Sequence, residues 1–331
     1  MKSLKSFKLL IILLLSSTDV VLSQALTDQN IKGYGKIDSI NRPEEVEAFV
    51  RSIENRYSSF MVNTVLTFDD DNCFRLGDLN KLTAITKADF DKNGFTDLLV
   101  IGMLGKHPVV LCLMGSINNE IDMHVISKHF RRTCSIARIV YENGTPLIEY
   151  KYFKANYAIV YKDEPVNSDK LIFKFGGFVD YNLSPKKYNI EKIEYTMGAG
   201  GDPLSSFSME INSKHKGRYI SQNVDFLSRK NTEYINFNGM IPDTIHDEIF
   251  GLLNYADFPN LNDNYAITAT DHATALLKIT YDGGKIKTIR DYGLLGTQSL
   301  NRLYQIMDSL RSQVWTPEPI KAIIPLPGAT N

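Results

Sequence analysis

The 331-residue chain contains no G-x-S-x-G elbow, no H-E-x-x-H, no Walker loop and no G-x-G-x-x-G after a strand pattern. Those absences remove the usual sequence grounds for a serine hydrolase, a zinc protease, a P-loop NTPase or a dinucleotide enzyme. Catalysis is left only to residues that converge from distant positions. Cysteine is scarce: Cys73, Cys112 and Cys134, with no C-x-x-C, so zinc-ribbon and thioredoxin-like readings fall away. The six histidines, at 107, 124, 129, 215, 246 and 272, show no ligand spacing. His124 and His129 are five apart, which suits neither one helix face nor one strand face. Charge of one sign is lacking too. Lys+Arg number 37 against 38 Asp+Glu, a net −1, which offers nothing to nucleic acid or to an anionic membrane. Gly198-Ala199-Gly200-Gly201 has no helix pattern after it, so it is not read as a phosphate cradle.

What is present begins at the first residues. Lys2, Lys5 and Lys8 form a basic region, Phe7 and Leu9 to Leu15 a short apolar core, and Val21-Leu22-Ser23 a cleavage pattern. This reads as a signal peptide over 1–23, cut between Ser23 and Gln24. The apolar run is too short to span a membrane, and no cysteine stands at the cut to take a lipid. The expectation is a secreted or periplasmic chain with no membrane insertion after cleavage. In that compartment Cys73 and Cys134 could pair, although the sequence does not show them close. Cys112, within Val109-Val110-Leu111-Cys112-Leu113, reads as a buried apolar residue.

One segment suggests a defined chemistry. Asp89-Phe90-Asp91-Lys92-Asn93-Gly94-Phe95-Thr96-Asp97 has the spacing D-x-D-x-N-G-x-x-D. Calcium takes six to eight oxygens at about 2.3–2.6 Å. Side-chain oxygens of Asp89, Asp91 and Asn93, the carbonyl of Phe95 and the carboxylate of Asp97 would supply them. Gly94 supplies a positive-φ position for the bend. An EF-hand would need a glutamate at the twelfth position, where Val100 stands, and helices on both sides. The flanks, Leu82–Thr86 and Leu98–Ile101, read as strands instead. The loop therefore resembles the strand–loop–strand calcium turns of integrin-type FG-GAP repeats. It occurs once, so a propeller is not expected. Without metal, Asn93-Gly94 is already a hairpin signal. Asp69-Asp70-Asp71 could assist a cation, but such a run reads first as a solvated loop.

Periodicity supplies the fold class: α+β, in two domains, each an antiparallel sheet packed by one or two helices. Residues 24–188 read as one helix on a sheet. Pro43-Glu44-Glu45 opens the helix, with Val46, Phe49, Val50, Ile53 and Tyr57 along its apolar face. Strands follow at Val62–Phe68, Leu82–Lys87, Asp97–Met103, Pro108–Met114, Met123–Ser127, Ile136–Tyr141, Leu147–Phe153, Tyr157–Tyr161 and Lys170–Phe175. Glu142-Asn143-Gly144-Thr145 makes a tight hairpin turn. Residues 189–315 read as hairpin, helix, hairpin, helix. Strands run over Phe207–Asn212, Arg218–Gln222, Glu233–Phe237, Ala275–Tyr281 and Lys285–Asp291. Helices follow Pro242 and Thr297. The tail, 316–331, carries four prolines and reads as flexible.

Tyr265, Thr270-Asp271, Lys287, Asp291-Tyr292 and Trp315 fall along that second order of elements. In this respect residues of about 190–315 resemble an uncharacterised family of exported bacterial domains of unknown function. The resemblance implies an exported protein of a Gram-negative bacterium of the Bacteroidota type, and no activity. Family members often carry a cysteine-containing turn before the first hairpin; here Gly200-Gly201-Asp202-Pro203 has none, so any thiol role is absent. Asp271-His272 invites a general-base reading, but strand neighbours point to opposite faces. A turn aspartate is the expectation, and Asp291-Tyr292 likewise reads as structural.

The functional expectation is a non-catalytic binding or structural module with a Ca²⁺-stabilised hairpin, whose partner is an envelope protein, peptide or glycan. A carboxylate-based hydrolase acting on glycan or peptide is the alternative, with Asp202, Asp225, Asp263 and Asp271 as candidates. A third possibility is that a partner strand adds to an open sheet edge.

Overall fold

The computed structural model describes residues 35–66, 68, 71–118, 120–127, 134–153, 163, 165–198, 206–223, 233–267, 270–312 and 315–317. The segment expected as a signal peptide, most of the acidic run at 69–71, the strand expected at Tyr157–Tyr161, the glycines at 200–201 and most of the tail lie outside them.

Helix α1 (Pro43–Ile53) starts where Pro43-Glu44-Glu45 predicts. Glu45 reaches back, and its Oε2 accepts the N–H groups of Asn41 and Arg42 at 3.0 Å each, satisfying donors that a helix start leaves open. Val46, Phe49 and Val50 are buried. Two side chains tie the helix to strand β1 (Phe60–Val62). Arg51 Nε donates to the Phe60 carbonyl (2.8 Å), and Glu47 Oε1 accepts from the Val62 N–H (3.0 Å).

Strand β1 joins β2 (Ile85–Ala88), β3 (Asp97–Leu104), β4 (His107–Met114) and β5 (Asp122–Val125) in an antiparallel sheet. β1 and β2 share one edge of β3, and β4 takes the other. The runs Leu98–Ile101 and Val109–Leu113 are buried without alternation, which is the pattern of strands covered on both faces. A second sheet supplies cover: β6 (Ser135–Glu142), β7 (Thr145–Phe153), β8 (Val166–Lys174) and β9 (Gly177–Asp180), in that order, with β6 against β3 and β4. Asn143 and Gly144 take φ 50° and 74° in the β6–β7 turn, the conformation an Asn-Gly hairpin needs.

The third sheet has eight strands: β10 (Ile190–Gly198), β11 (Phe207–Asn212), β12 (Lys216–Asn223), β13 (Glu233–Met240), β14 (Asn264–Ala266), β15 (Thr274–Tyr281), β16 (Lys285–Tyr292) and β17 (Thr316–Pro317). Their spatial order is β14-β16-β15-β10-β11-β12-β13-β17. Helices α2 (Asp243–Tyr255) and α3 (Gln298–Ser309) pack on each other and bury Ile249, Leu252, Leu253, Leu300, Leu303 and Met307 with this sheet. Thr297 caps α3, its Oγ1 accepting the Leu300 N–H at 3.2 Å.

The protein is therefore sheet-rich, with three α-helices among the described residues. Four expectations need correction. The first part holds two sheets, since β6 to β9 do not join β1 to β5. The strand expected over Val62–Phe68 stops at Val62. Leu66 is buried by a turn, at φ 48° with its N–H on the Asn63 carbonyl, so its period-two spacing belongs to no ladder. β14 runs parallel to β16, so the third sheet is mixed. The tail is not structureless from Thr316, because Thr316–Pro317 pairs with Phe237 and Asn238. The buried side chains form two clusters. The second takes in Val179 and packs against Ile172, Phe175 and Tyr188, all upstream of residue 189.

Candidate metal centre

The β2–β3 connection is the strand–loop–strand bend the acidic motif implies, entered from Ala88 and left at its cross-strand partner Asp97. Lys92 and Gly94 adopt φ 62° and 87° to close it. Ligand-capable oxygens of Asp89, Asp91 and Asp97 lie within 4.8 Å of one another. Asp97 is fully buried. Its Oδ2 accepts from the Phe90 N–H (2.7 Å) and its Oδ1 from the Gly115 N–H (2.8 Å). Asp89 accepts from the Asn93 N–H (3.1 Å) and the Gly94 N–H (3.0 Å), and Asp91 also accepts from the Asn93 N–H (3.1 Å).

Asn93, a further expected ligand, is placed differently. Asn93 turns its amide nitrogen toward Asp91 Oδ2 (2.9 Å) and the Gly115 carbonyl (2.8 Å), while its Oδ1 accepts from the Phe95 N–H (2.7 Å). Asn93 would have to turn its carboxamide over to present oxygen to a cation. Three carboxylates and nearby carbonyls are all hard oxygen donors, the set that suits calcium rather than a softer metal.

Crowding three carboxylates around a buried position has an electrostatic cost. Burial pushes the Asp97 carboxyl up to about 7; the two backbone N–H groups oppose that rise, and Asp91 and Asp89 add to it. Asp91 is also raised, by burial first and by Asp89 after the opposing bond from the Asn93 N–H. A group raised in the folded state stabilises below its unfolded pKa and loses that contribution as pH rises through its folded value. Calcium-free protein should therefore lose the Asp97 contribution between about pH 4 and 7. Melting at pH 5 and pH 8 in chelator, beside Asp97→Asn, checks this. The pH-dependent drop should be smaller in the variant, and an equal drop in both would refute the assignment.

Gly115 is the site residue that sequence reasoning missed. Both its backbone groups serve the loop, and a Cβ there would meet the Thr96 carbonyl at 2.5 Å. Its signal is a glycine directly after β4, but only β3–β4 pairing brings it to the loop.

The hydrolase candidates gain no common centre. Asp263 is exposed and paired with Lys287 (2.5 Å), and Asp271 sits in an exposed bend at φ 62°. Asp202 and Asp225 lie outside the described residues.

Three of the residues that carried the second resemblance, Asp291, Lys287 and Trp315, make contacts that hold the fold together. Asp291 is fully buried. It accepts from the Leu295 N–H (2.7 Å), the Gly296 N–H (2.9 Å) and the Tyr304 hydroxyl (3.2 Å). Lys287 donates to the Leu261 carbonyl. Trp315 Nε1 donates to the Leu310 carbonyl (2.7 Å), and its ring lies over Gly217 and Gly239. Residues 192–311 match a family model described as a domain of unknown function, DUF6438. The DUF6438 match thus covers β11 to β16, α2, α3 and nearly all of β10, and it brings no activity with it. No curated protein matches the chain. Among the described residues no helix is long and apolar enough to cross a membrane.

Proposed function

We propose that this is an exported, non-catalytic binding or structural module in two domains, 24–188 and 189–315, with a calcium ion bracing the β2–β3 bend of the first. Asp89, Asp91 and Asp97 would hold the ion, joined by the Phe95 carbonyl and by Asn93 after its carboxamide turns. The observation that carries this reading is the convergence of three carboxylates, one of them buried, on a single point. Unbalanced, they repel one another, and a divalent cation removes the repulsion. The ion is a brace: extracellular calcium modules bind at roughly 10⁻⁴–10⁻³ M. At ten times its dissociation constant the ion would add about 1.4 kcal/mol.

Melting the mature protein in millimolar calcium and in chelator tests this. Calcium should raise the midpoint by about 3–5 °C, magnesium should do less, and Asp91→Asn should abolish the difference. A midpoint indifferent to calcium in the wild type would end the metal reading. The hydrolase alternative is not carried further, because no observation among the described residues brings its carboxylates together.

A further inference from the structure

Two strand edges lie side by side between the first two sheets. Among the described strands β2 pairs with β3 alone and β6 with β7 alone, yet β2 and β6 approach within 8 Å (Cα–Cα) without pairing. A groove of about 570 Å³ runs along them. Its wall includes Ile136, Ala137, Arg138 and Ile139 in unbroken succession, then Tyr141. Side chains alternate across a strand, so a sheet face would contribute every second residue. A continuous run means that the groove follows the edge of β6 and meets its backbone.

The hairpin register says which backbone groups those are. Glu142 opposes Thr145 across the two-residue turn and forms the first hydrogen-bonded pair. Val140–Leu147 and Arg138–Glu149 are the next pairs of that kind. Ile139 and Tyr141 therefore direct their N–H and C=O groups away from β7, into the groove. An unpaired row of this kind is a template for another strand.

Charge selects the strand. Lys81, Lys87, Arg138 and Lys151 line the groove against Asp78 and Glu149. Asp78 is taken by Lys81 (2.9 Å), and Glu149 is shared by Arg138 (2.6 Å) and Lys151 (3.7 Å). Lys87 bonds two neutral oxygens, the Asp38 carbonyl and Asn41 Oδ1. The lining is left with positive charge in excess. Tyr141, 64% exposed, stands at the outer end of the edge. At the inner end the Cys73–Cys134 disulfide fastens the 3-10 segment Asp71–Leu76 to the start of β6, so the two walls are covalently joined.

We propose that this groove receives an extended acidic segment of a partner protein. The segment adds as a strand to β6 through the outward N–H and C=O groups of Ile139 and Tyr141. Its carboxylates meet Lys87, Arg138 and Lys151. The proposal rests on the binding-module reading and gives it a location and a partner chemistry. β6 is the platform because its residues Arg138–Glu142 are not buried and its register aims Ile139 and Tyr141 outward, where β2 has four residues in all. Main-chain bonds supply affinity in this mode, and the flanking side chains supply selectivity.

The test is calorimetric titration of the mature protein with three blocked octapeptides. One alternates valine and glutamate, one alternates valine and lysine, and the third is the glutamate peptide N-methylated at every second residue. The glutamate peptide should bind, and the other two should bind at least tenfold more weakly. Tyr141→Pro removes an outward N–H at an exposed edge position, where proline is tolerated. It should keep the wild-type melting point within a few degrees and weaken binding at least tenfold. Arg138→Glu combined with Lys151→Glu should weaken binding at least tenfold by charge alone, with a lower melting point because Glu149 loses both of its cationic partners. Absence of binding by the glutamate peptide, or equal affinity for the lysine peptide, overturns the proposal. Binding that survives both Tyr141→Pro and the double charge reversal overturns the groove while leaving a binding module in place. None of these outcomes bears on the calcium-dependent melting.

Discussion

Asp291→Ala is expected to cost about 3–5 kcal/mol, enough to unfold a marginal domain. The carboxylate is fully buried and closes the turn after β16 by accepting two backbone N–H groups and the Tyr304 hydroxyl. Removing it strands three donors, each costing about 1–3 kcal/mol when left unpaired, with partial relief from relaxation. Little relaxation is open to them. A Cβ on Gly296 would already meet Asp291 Oδ2 at 2.5 Å, and Tyr304 stacks on Tyr195 with ring centroids 5.7 Å apart. Burial raises both tyrosine hydroxyls above their ordinary range, and the Asp291 charge adds to each rise. Urea unfolding of Asp291→Ala and Asp291→Asn measures the effect. The asparagine keeps an acceptor oxygen but sets an NH₂ against a donor, so its loss should be intermediate. A loss below 1 kcal/mol for the alanine variant would show that the turn finds other partners.

Asp291 and Asp97 show why one buried aspartate reads as structure and the other as a candidate site. Both are fully buried and both collect backbone N–H groups from a neighbouring turn. Asp291 has a tyrosine hydroxyl as its third partner, a donor that completes a neutral cage. Asp97 has two further carboxylates within 4.8 Å, which add negative charge where it is least welcome. The same local device therefore ends in opposite electrostatic states, and only the second is relieved by a cation.

Much of this architecture was legible because it is local. The Asn143-Gly144 turn, the opening of α1 and the Thr297 cap each depend on residues within four positions of one another. The acidic bend was legible for the same reason: its spacing alone puts three carboxylates together. What stayed hidden is long-range. Gly115 joins the bend only through β3–β4 pairing. β14 pairs parallel with β16 through residues 26 positions apart, Asn264 beside Arg290, a separation that no local pattern reports. The groove between β2 and β6 lies between two sheets that the hydropathy pattern merged into one.

The Cys73–Cys134 crosslink is the other place where a large effect is expected. The two residues are 61 positions apart with Cα atoms 5.7 Å apart. Closing a loop of that length restricts the unfolded chain by about 4 kcal/mol on the chain-entropy account. Replacing both cysteines by alanine should therefore lower the melting point by about 8–16 °C. Reductant should bring the wild type to the same value and leave the double variant unmoved. Cys112 is a suitable internal control: its thiol is buried and unreactive, its pKa held well above the usual range by burial and then by Asp97 and Asp91. The loss should also be uneven. The bond pins a 3-10 segment, not a strand, to β6, so hydrogen exchange should accelerate most at the β6 amides nearest the bond that pair with β7, Ile136 and Arg138, and peptide binding should weaken before the protein unfolds. If oxidised wild type and the double variant melt together, the crosslink constrains nothing that the two sheets do not already hold.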